Sequence, residues 1–543
     1  MIDLFEESRL GKLDPSHLGV WLNIDPALHH ENFSQLAPLM WRSFHFPQED
    51  SHRAFVNSCP TDESSEFAVQ YFTLFQHEAR HYHDLLLTPY GSMLARQYTR
   101  AQLSYLYCRN DLLFRAKSIV VPITDWVENY EMFEGVVPGL KPPPSAVCQL
   151  HELTATMMKK LAVFHNGTTG LADSVGGLDT TMILEGSAIL IQEEIVSQLF
   201  GKANFQRFRN GILSRPASKR YYGALELVCQ FLQTHAPAEV ISYLLLASLC
   251  GNFQDLNPDH VRYPPDVLVE LLVWLHERQF DVYACRSFDD IVRSVDEYFL
   301  DKLGARLQDH LHQATLVNTK VAEAFEQMVQ DIESHTGSPT ESEGPRELIR
   351  GFSAFRSAQE KMVELFIRDP LRYCSRPTYV QELWSLPQPL IFIEASTGLP
   401  LTPELEQMYY IQNESLFDLS ALPEDLRPQF RHFADRDGVV RAAHIISPRP
   451  NPDVYGRSAE YISLAQANFD RVSALRFLLE GPNSGSSPEW WGEVVAAFNL
   501  FGTRVFTRFG EIGEGKPPPD KLAARIDPEG YASLLRSIKE KDG

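Results

Sequence analysis

The sequence predicts a mainly α fold, with a few short strands and a mixed α/β C-terminal region. Three observations carry this. From about Glu66 to Gln330, apolar residues recur three and four apart and β-branched alternation is scarce. Beyond a polar stretch at 333–347 the pattern changes, and short apolar runs such as Leu390-Ile391-Phe392-Ile393 and 439–446 read as strands. The composition, 44% hydrophobic and 22% charged over 543 residues, is that of an ordinary globular protein. It excludes a wholly disordered chain, a collagen-like repeat and a small disulfide-stapled domain.

Taken in order, residues 1–60 form an irregular lead-in, with Trp21, Trp41 and several Pro and His, expected to pack on the core. Residues 61–332 form the helical domain, with helices predicted at 66–87, 92–117, 146–164, 180–200, 218–235, 238–250, 265–279 and 288–330. Lys141-Pro142-Pro143-Pro144 is a stiff connector, and the Gly-rich stretch 166–177 reads as a loop. Residues 333–347 (ESHTGSPTESEGPRE) form a linker or a surface loop. Residues 348–543 are a C-terminal region with no chemical motif, in which further helices are predicted at 457–480 and 488–508. No internal repeat or long heptad pattern is present.

Charge and cysteine usage narrow the function classes. Lys and Arg number 49 against 71 Asp and Glu, a formal net charge of −22. Such a surface repels nucleic-acid phosphates and anionic lipid at long range, so neither nucleic acid nor membrane is an expected partner, although a local basic patch is compatible with it. The 7 Cys are widely spaced and include no CxxC, which argues against a disulfide framework and fits a reducing compartment. The acidic start, Met1-Ile2-Asp3-Leu4-Phe5-Glu6-Glu7, lacks the basic and apolar regions of a signal peptide, and the longest apolar run, 240–250, is too short to span a bilayer. A cytoplasmic protein is expected. The oligomeric state is not legible.

One segment carries chemistry. Phe75-Gln76-His77-Glu78-Ala79-Arg80-His81 contains H-E-x-x-H. Two His four apart share one helix face, where their imidazoles can grip one zinc ion, and the Glu beside them can take a proton from activated water. Around the helical wheel, Ala68, Phe72, Phe75, Ala79, Tyr82 and Leu86 form an apolar side and Thr73, Gln76, Arg80 and Asp84 a polar sector. The two His fall at the edge of the apolar arc, which suits a zinc helix lining a cleft and equally a partly exposed, ordinarily hydrogen-bonded pair. His83 points elsewhere. Asp84 reads as a solvated carboxylate, or else as an acceptor for a ligand imidazole.

The third ligand must come from another segment, and Glu185 is the leading candidate. It shares a helix face with Ala188, Ile189, Gln192, Val196 and Leu199. A carboxylate there is costly unless it is paired or binds a metal. The competing reading is a buried ion pair with an Arg or Lys. Gly186 and Ala188 are small enough for close helix approach. Glu152 and Glu226 are the alternatives, and Glu194 reads as solvated. Candidate oxyanion donors are Tyr222, with Tyr221 beside it, and His260 and Tyr263 in a loop-like stretch.

This arrangement resembles the zincin metallopeptidases of the gluzincin type, in which the motif helix supplies two His and a later helix a Glu. The resemblance covers His77, Glu78, His81 and Glu185, about a tenth of the chain. It implies a zincin-like helical core, one catalytic Zn2+ and hydrolysis of a peptide or protein substrate, with Glu78 as general base. The gap from His81 to Glu185 is longer than many gluzincins use, and Leu87 stands where the metzincin pattern wants a third His. Two other readings compete. A di-iron carboxylate protein would need a second E-x-x-H on a helix, and Glu49–His52 supplies one only in the irregular lead-in. A non-catalytic helical scaffold, as an inactive relative of the zincins, needs only that the motif be idle.

Overall fold

The helices of the chain bury their apolar faces on one another, and the first long one ends up in the middle. The computed structural model describes residues 62–115, parts of 149–164, 170–233, 235–251, 262–336, 343–375 and eight short strands. This region is mainly α. Helix α1 (Asp62–Leu87) is followed after one residue by α2 (Pro89–Arg115). The break is written locally: Pro89 starts the second helix without an amide to satisfy, and the Thr88 hydroxyl accepts from the Gly91 amide at 3.2 Å. A short turn, α3 (Leu171–Ser174), lies within the stretch 166–177 that was expected to be a loop. Then comes α4 (Thr180–Ile195), capped by the Asp179 side chain on the Met182 amide at 2.7 Å. It runs into a π-helical turn at Val196–Phe200, and α5 (Gly201–Leu213) follows.

Helices α6 (Ser218–Phe231), α7 (Ala238–Ser248) and α8 (Pro264–Glu277) follow at the expected places. The single helix expected over 288–330 is two: α9 (Phe288–Leu303) and α10 (Leu307–Thr336). Gly304 separates them at φ 79, a left-handed conformation that ends a helix without a Cβ penalty. Helix α11 (Glu343–Arg368) and the short α12 (Pro370–Ser375) complete the set. The stretch 333–347 is thus helical at both ends, and Arg346 and Glu333 pair across it at 2.6 Å. Because α11 packs on α1, α2 and α10, the helical body extends beyond residue 332.

Helix α1 lies among α2, α4 and α11, with strands β1 (Gly11–Asp14) and β2 (Gly19–Leu22) also against it. Every residue from Phe75 to Leu87 is buried. Helix α4 in turn contacts α6 and α7. The core includes Leu86, Leu94, Ile189, Leu245, Leu272 and Phe299. Six further strands are described: β3 (Ser118–Pro122), β4 (Leu390–Ala395), β5 (Tyr409–Asp418), β6 (Val439–Ile446), β7 (Glu493–Leu500) and β8 (Thr503–Phe509). The strand order is β1-β2-β4-β5-β6-β8-β7-β3, with β1–β2, β5–β6 and β7–β8 antiparallel and the remaining neighbours parallel. β7 and β8 fall where a helix over 488–508 was expected. The predicted helix 457–480 lies outside the described residues. No helix among the described residues is long and apolar enough to cross a membrane.

Candidate metal centre

Helical periodicity places His77 and His81 one turn apart on α1, and packing brings α4 across them. Three atoms then converge. His77 Nε2 lies 3.0 Å from Glu185 Oε2, His81 Nε2 lies 3.1 Å from His77 Nε2, and His81 Nε2 lies 3.6 Å from Glu185 Oε2. Tetrahedral zinc with bonds of about 2.0–2.1 Å separates its ligand atoms by about 3.3 Å, so this triangle already has the edge lengths of one face of such a site. Residues His77, His81 and Glu185 are 4%, 1% and 3% exposed. Among the described residues they form the one group of three or more His, Cys, Asp or Glu placed to hold a metal ion. The donor set, two imidazoles and one carboxylate, fits zinc. His77 Nδ1 has no hydrogen-bond partner among the described residues.

The remaining carboxylate of the motif stands beside this triangle. Glu78 is buried, and its Oε2 has no hydrogen-bond partner among the described residues. Burial pushes its carboxyl up from the usual value, while His81, His77 and the backbone amide of Leu13 pull it down. Burial also opposes charge on Glu185. There, the hydrogen bond from His77 and the nearby His81 ring outweigh it and hold that carboxyl well below the usual range. For His81, burial opposes the charged ring, but the Glu185 carboxylate 3.6 Å away outweighs it and the pKa is raised.

Both readings of Glu185 meet in the folded chain. Its Oε2 faces the His pair, and its Oε1 lies 3.2 Å from the Arg220 Nε at the start of α6. The carboxylate is thus divided, one oxygen toward the His pair and one toward a cation. The alternatives Glu152 and Glu226 are exposed. Close approach of α4 to its neighbours uses Gly186: a Cβ there would meet Leu245 at 3.3 Å and Leu225 at 3.4 Å. His83 is buried against Tyr82 and is outside the group.

The expected polar sector of α1 does not face solvent. Asp84 is fully buried and serves neither as a surface charge nor as an acceptor for a ligand ring. It accepts from Ser187 Oγ at 2.7 Å and Tyr373 Oη at 2.8 Å, and forms an ion pair with Arg80, whose Nε lies 2.9 Å away. Arg80 also donates to the Ser187 hydroxyl, the Tyr373 carbonyl and the Ser242 hydroxyl at 3.1, 2.9 and 3.1 Å. Its guanidinium lies over the Tyr373 ring, 4.3 Å from the centroid. This network ties the motif helix to α4, α7 and α12. Ser187 is two residues from Glu185 and Asp84 three from His81, so the network also holds Glu185 and the His pair against each other.

Of the candidate oxyanion donors, Tyr222 is committed elsewhere. Its hydroxyl donates to Glu193 at 2.6 Å, beneath the Arg209 guanidinium. Its neighbour Tyr221 instead stands beside the site, with its ring 6.2 Å from that of His77. Burial, with Glu185 next, raises the Tyr221 pKa, so its hydroxyl keeps its proton. Tyr263 precedes α8 and stacks on Phe164 at 5.7 Å. His260 and the Glu49–His52 motif lie outside the described residues. Sequence reasoning missed Arg220 and the Arg80–Asp84 network. The buried ion pair it weighed for Glu185 was the signal for the first; for the second, the i,i+4 spacing of Arg80 and Asp84 announces their pairing, whereas Ser187, Ser242 and Tyr373 come from segments that no local pattern links to them. The chain matches no protein-family model, and neither a curated protein nor a solved structure matches it.

Proposed function

We propose that the protein is a zinc-dependent hydrolase of the gluzincin-like type that cleaves peptide bonds. One observation carries the reading: two His from α1 and one Glu from α4 point one atom each at a single buried position, beside the unpartnered Glu78 carboxylate oxygen. His77, His81 and Glu185 would hold the ion. Bound there, zinc would supply Lewis acidity toward a carbonyl and make water acidic enough to attack it. Glu78 would take the proton at Oε2 and give it to the departing nitrogen. Tyr221 would direct its hydroxyl at negative charge developing on the carbonyl oxygen. Arg220 would keep one Glu185 oxygen turned away from the ion. The four described cysteines, Cys229, Cys250, Cys285 and Cys374, are free thiols, which supports placement in a reducing compartment, the cytoplasm. In the same reading residues 348–543 end in a mixed α/β region.

A second reading is favoured by a specific observation: His77, Glu78, His81 and Glu185 are all at most 4% exposed. A site so enclosed also suits an idle relative of the zincins, in which the ion braces two helices of a scaffold. A di-iron site would need a second E-x-x-H and further ligand carboxylates, and among the described residues the group itself holds one carboxylate, Glu185.

The test is metal content by plasma mass spectrometry on tag-free protein, followed by a peptide-library digest. One zinc per chain is expected in wild type and in Glu78→Gln, and none in His77→Ala. Library cleavage is expected in wild type alone. Wild type that holds no zinc after reconstitution would remove the hydrolase. Zinc with no cleavage would select the scaffold, and full turnover by Glu78→Gln would remove its role as base.

A further inference from the structure

The first strand of the chain reaches the motif helix. β1 packs on α1 at the turn that carries Glu78, and two contacts fix its place. Gly11 lies so close to Leu74 that a Cβ there would meet the Leu74 side chain at 2.9 Å, and any larger residue would push the strand or Leu74 aside. Two residues further on, the Leu13 amide donates to the Glu78 carboxylate. Leu13 and Glu78 are both buried.

The two contacts have matching steps. Two residues of strand advance about 6.6 Å, and the four residues from Leu74 to Glu78 advance about 6 Å along a helix. β1 can therefore follow α1 in the same direction, with one contact per helical turn. Among the described strands β1 is also the first in its sheet, with β2 on one side of it. An amide bonded to Glu78 is not spent on β2, so the Leu13 N–H lies on the other side of the strand. Glu78 Oε2 has no hydrogen-bond partner among the described residues, so the amide holds the second oxygen, Oε1. The last torsion of a glutamate is soft. A carboxylate left to itself would turn about that bond and present either oxygen to His77 and His81. A donor fixed in a strand ends this freedom: with one oxygen held, the direction of the other is set.

We infer that β1 is part of the catalytic centre, and that the Leu13 backbone amide is a positioning group that holds Glu78 Oε1 and leaves Oε2 to take the proton. The inference rests on the hydrolase reading above and adds to it a group that the H-E-x-x-H segment does not contain. The amide touches neither ion nor substrate. It acts through Glu78, and it gives a strand distant in sequence a place in the chemistry. Gly11 serves the same end by letting β1 approach α1 closely enough for the bond to form.

The test removes the amide in one variant and the side chain in another. Leu13→Pro deletes the donor, and on that side of β1 it costs no bond to β2. Leu13→Ala keeps the donor and shortens the buried side chain. The full zinc-loaded chain is assayed on a fluorogenic peptide taken from the library digest. Leu13→Pro should lower kcat about 10- to 100-fold with KM and zinc content unchanged, the pattern of a group felt only in the transition state. Leu13→Ala should keep most of the wild-type kcat. If the proline variant fails to fold, Gly11→Val serves instead: it wedges β1 off Leu74 with the amide present, and kcat should fall in the same way. Hydrogen exchange resolved to single residues reads the bond without zinc or substrate. The Leu13 amide should exchange about tenfold or more faster in Glu78→Ala than in wild type. Unchanged kcat in folded Leu13→Pro, an equal loss in Leu13→Ala, or identical Leu13 exchange in wild type and Glu78→Ala would each overturn the proposal. So would faster turnover on loss of the amide, the mark of a strand that only covers the site. Wild type that holds zinc and cleaves nothing removes the hydrolase and the positioning role with it. Wild-type cleavage that survives Leu13→Pro intact removes the positioning role alone.

Discussion

Asp84→Ala is the substitution whose consequence follows most directly from the packing. Removing this fully buried carboxylate leaves Arg80, 2% exposed, among three neutral oxygens, those of Ser187, Tyr373 and Ser242. A buried cation stripped of its counter-charge costs about 3–5 kcal/mol. Arg80→Met is the milder half, because Asp84 keeps the Ser187 and Tyr373 hydroxyls at 2.7 and 2.8 Å. Its loss should be about 1.5–3 kcal/mol, the worth of hydrogen bonds to a charged group. The double variant lacks both charges, so it should resemble the worse single variant instead of their sum, with coupling of about 2 kcal/mol. Urea unfolding followed by far-ultraviolet circular dichroism measures all three. Zinc affinity by chelator competition should fall in Asp84→Ala as well, since the network sets α1 against α4. Additive single losses, or a loss below about 1 kcal/mol for Asp84→Ala, would refute the argument that a buried charge pair locks these helices.

Other outcomes follow from the same geometry. Arg220→Gln should weaken zinc binding about 10- to 100-fold by freeing the outer oxygen of Glu185, and Arg220→Lys should recover part of that in the same chelator titration. Zinc at about a thousand times its dissociation constant should add about 4 kcal/mol to unfolding stability; a chelator should remove this increment in wild type and have no effect on His77→Ala. Cys250 and Cys374 are fully buried with thiols pushed up by that burial, Cys374 to about 12. Neither should react with a thiol reagent at neutral pH until urea opens the fold, and mass mapping of early modification at either would contradict their packing.

The sequence by itself determined what depends on local periodicity. His77 and His81 share a face because four residues make about one helical turn, and that holds whatever surrounds the helix. Glu185 was legible because a carboxylate on an apolar face needs a partner, so its burial beside cationic or metal-binding groups was a consequence of its position. Thr88-Pro89 ends α1 by chemistry confined to neighbouring residues. What the wheel lacks is the identity of the neighbouring helix, and the site depended on it wherever two segments meet. The polar sector of α1 read as a solvent face, yet α7 and α12 bring Ser242 and Tyr373 onto it, which makes burial of Arg80 and Asp84 affordable. Tyr221 and Tyr222 differ by about 100° around α6, and only the placement of α4 decided that one meets Glu193 and the other His77.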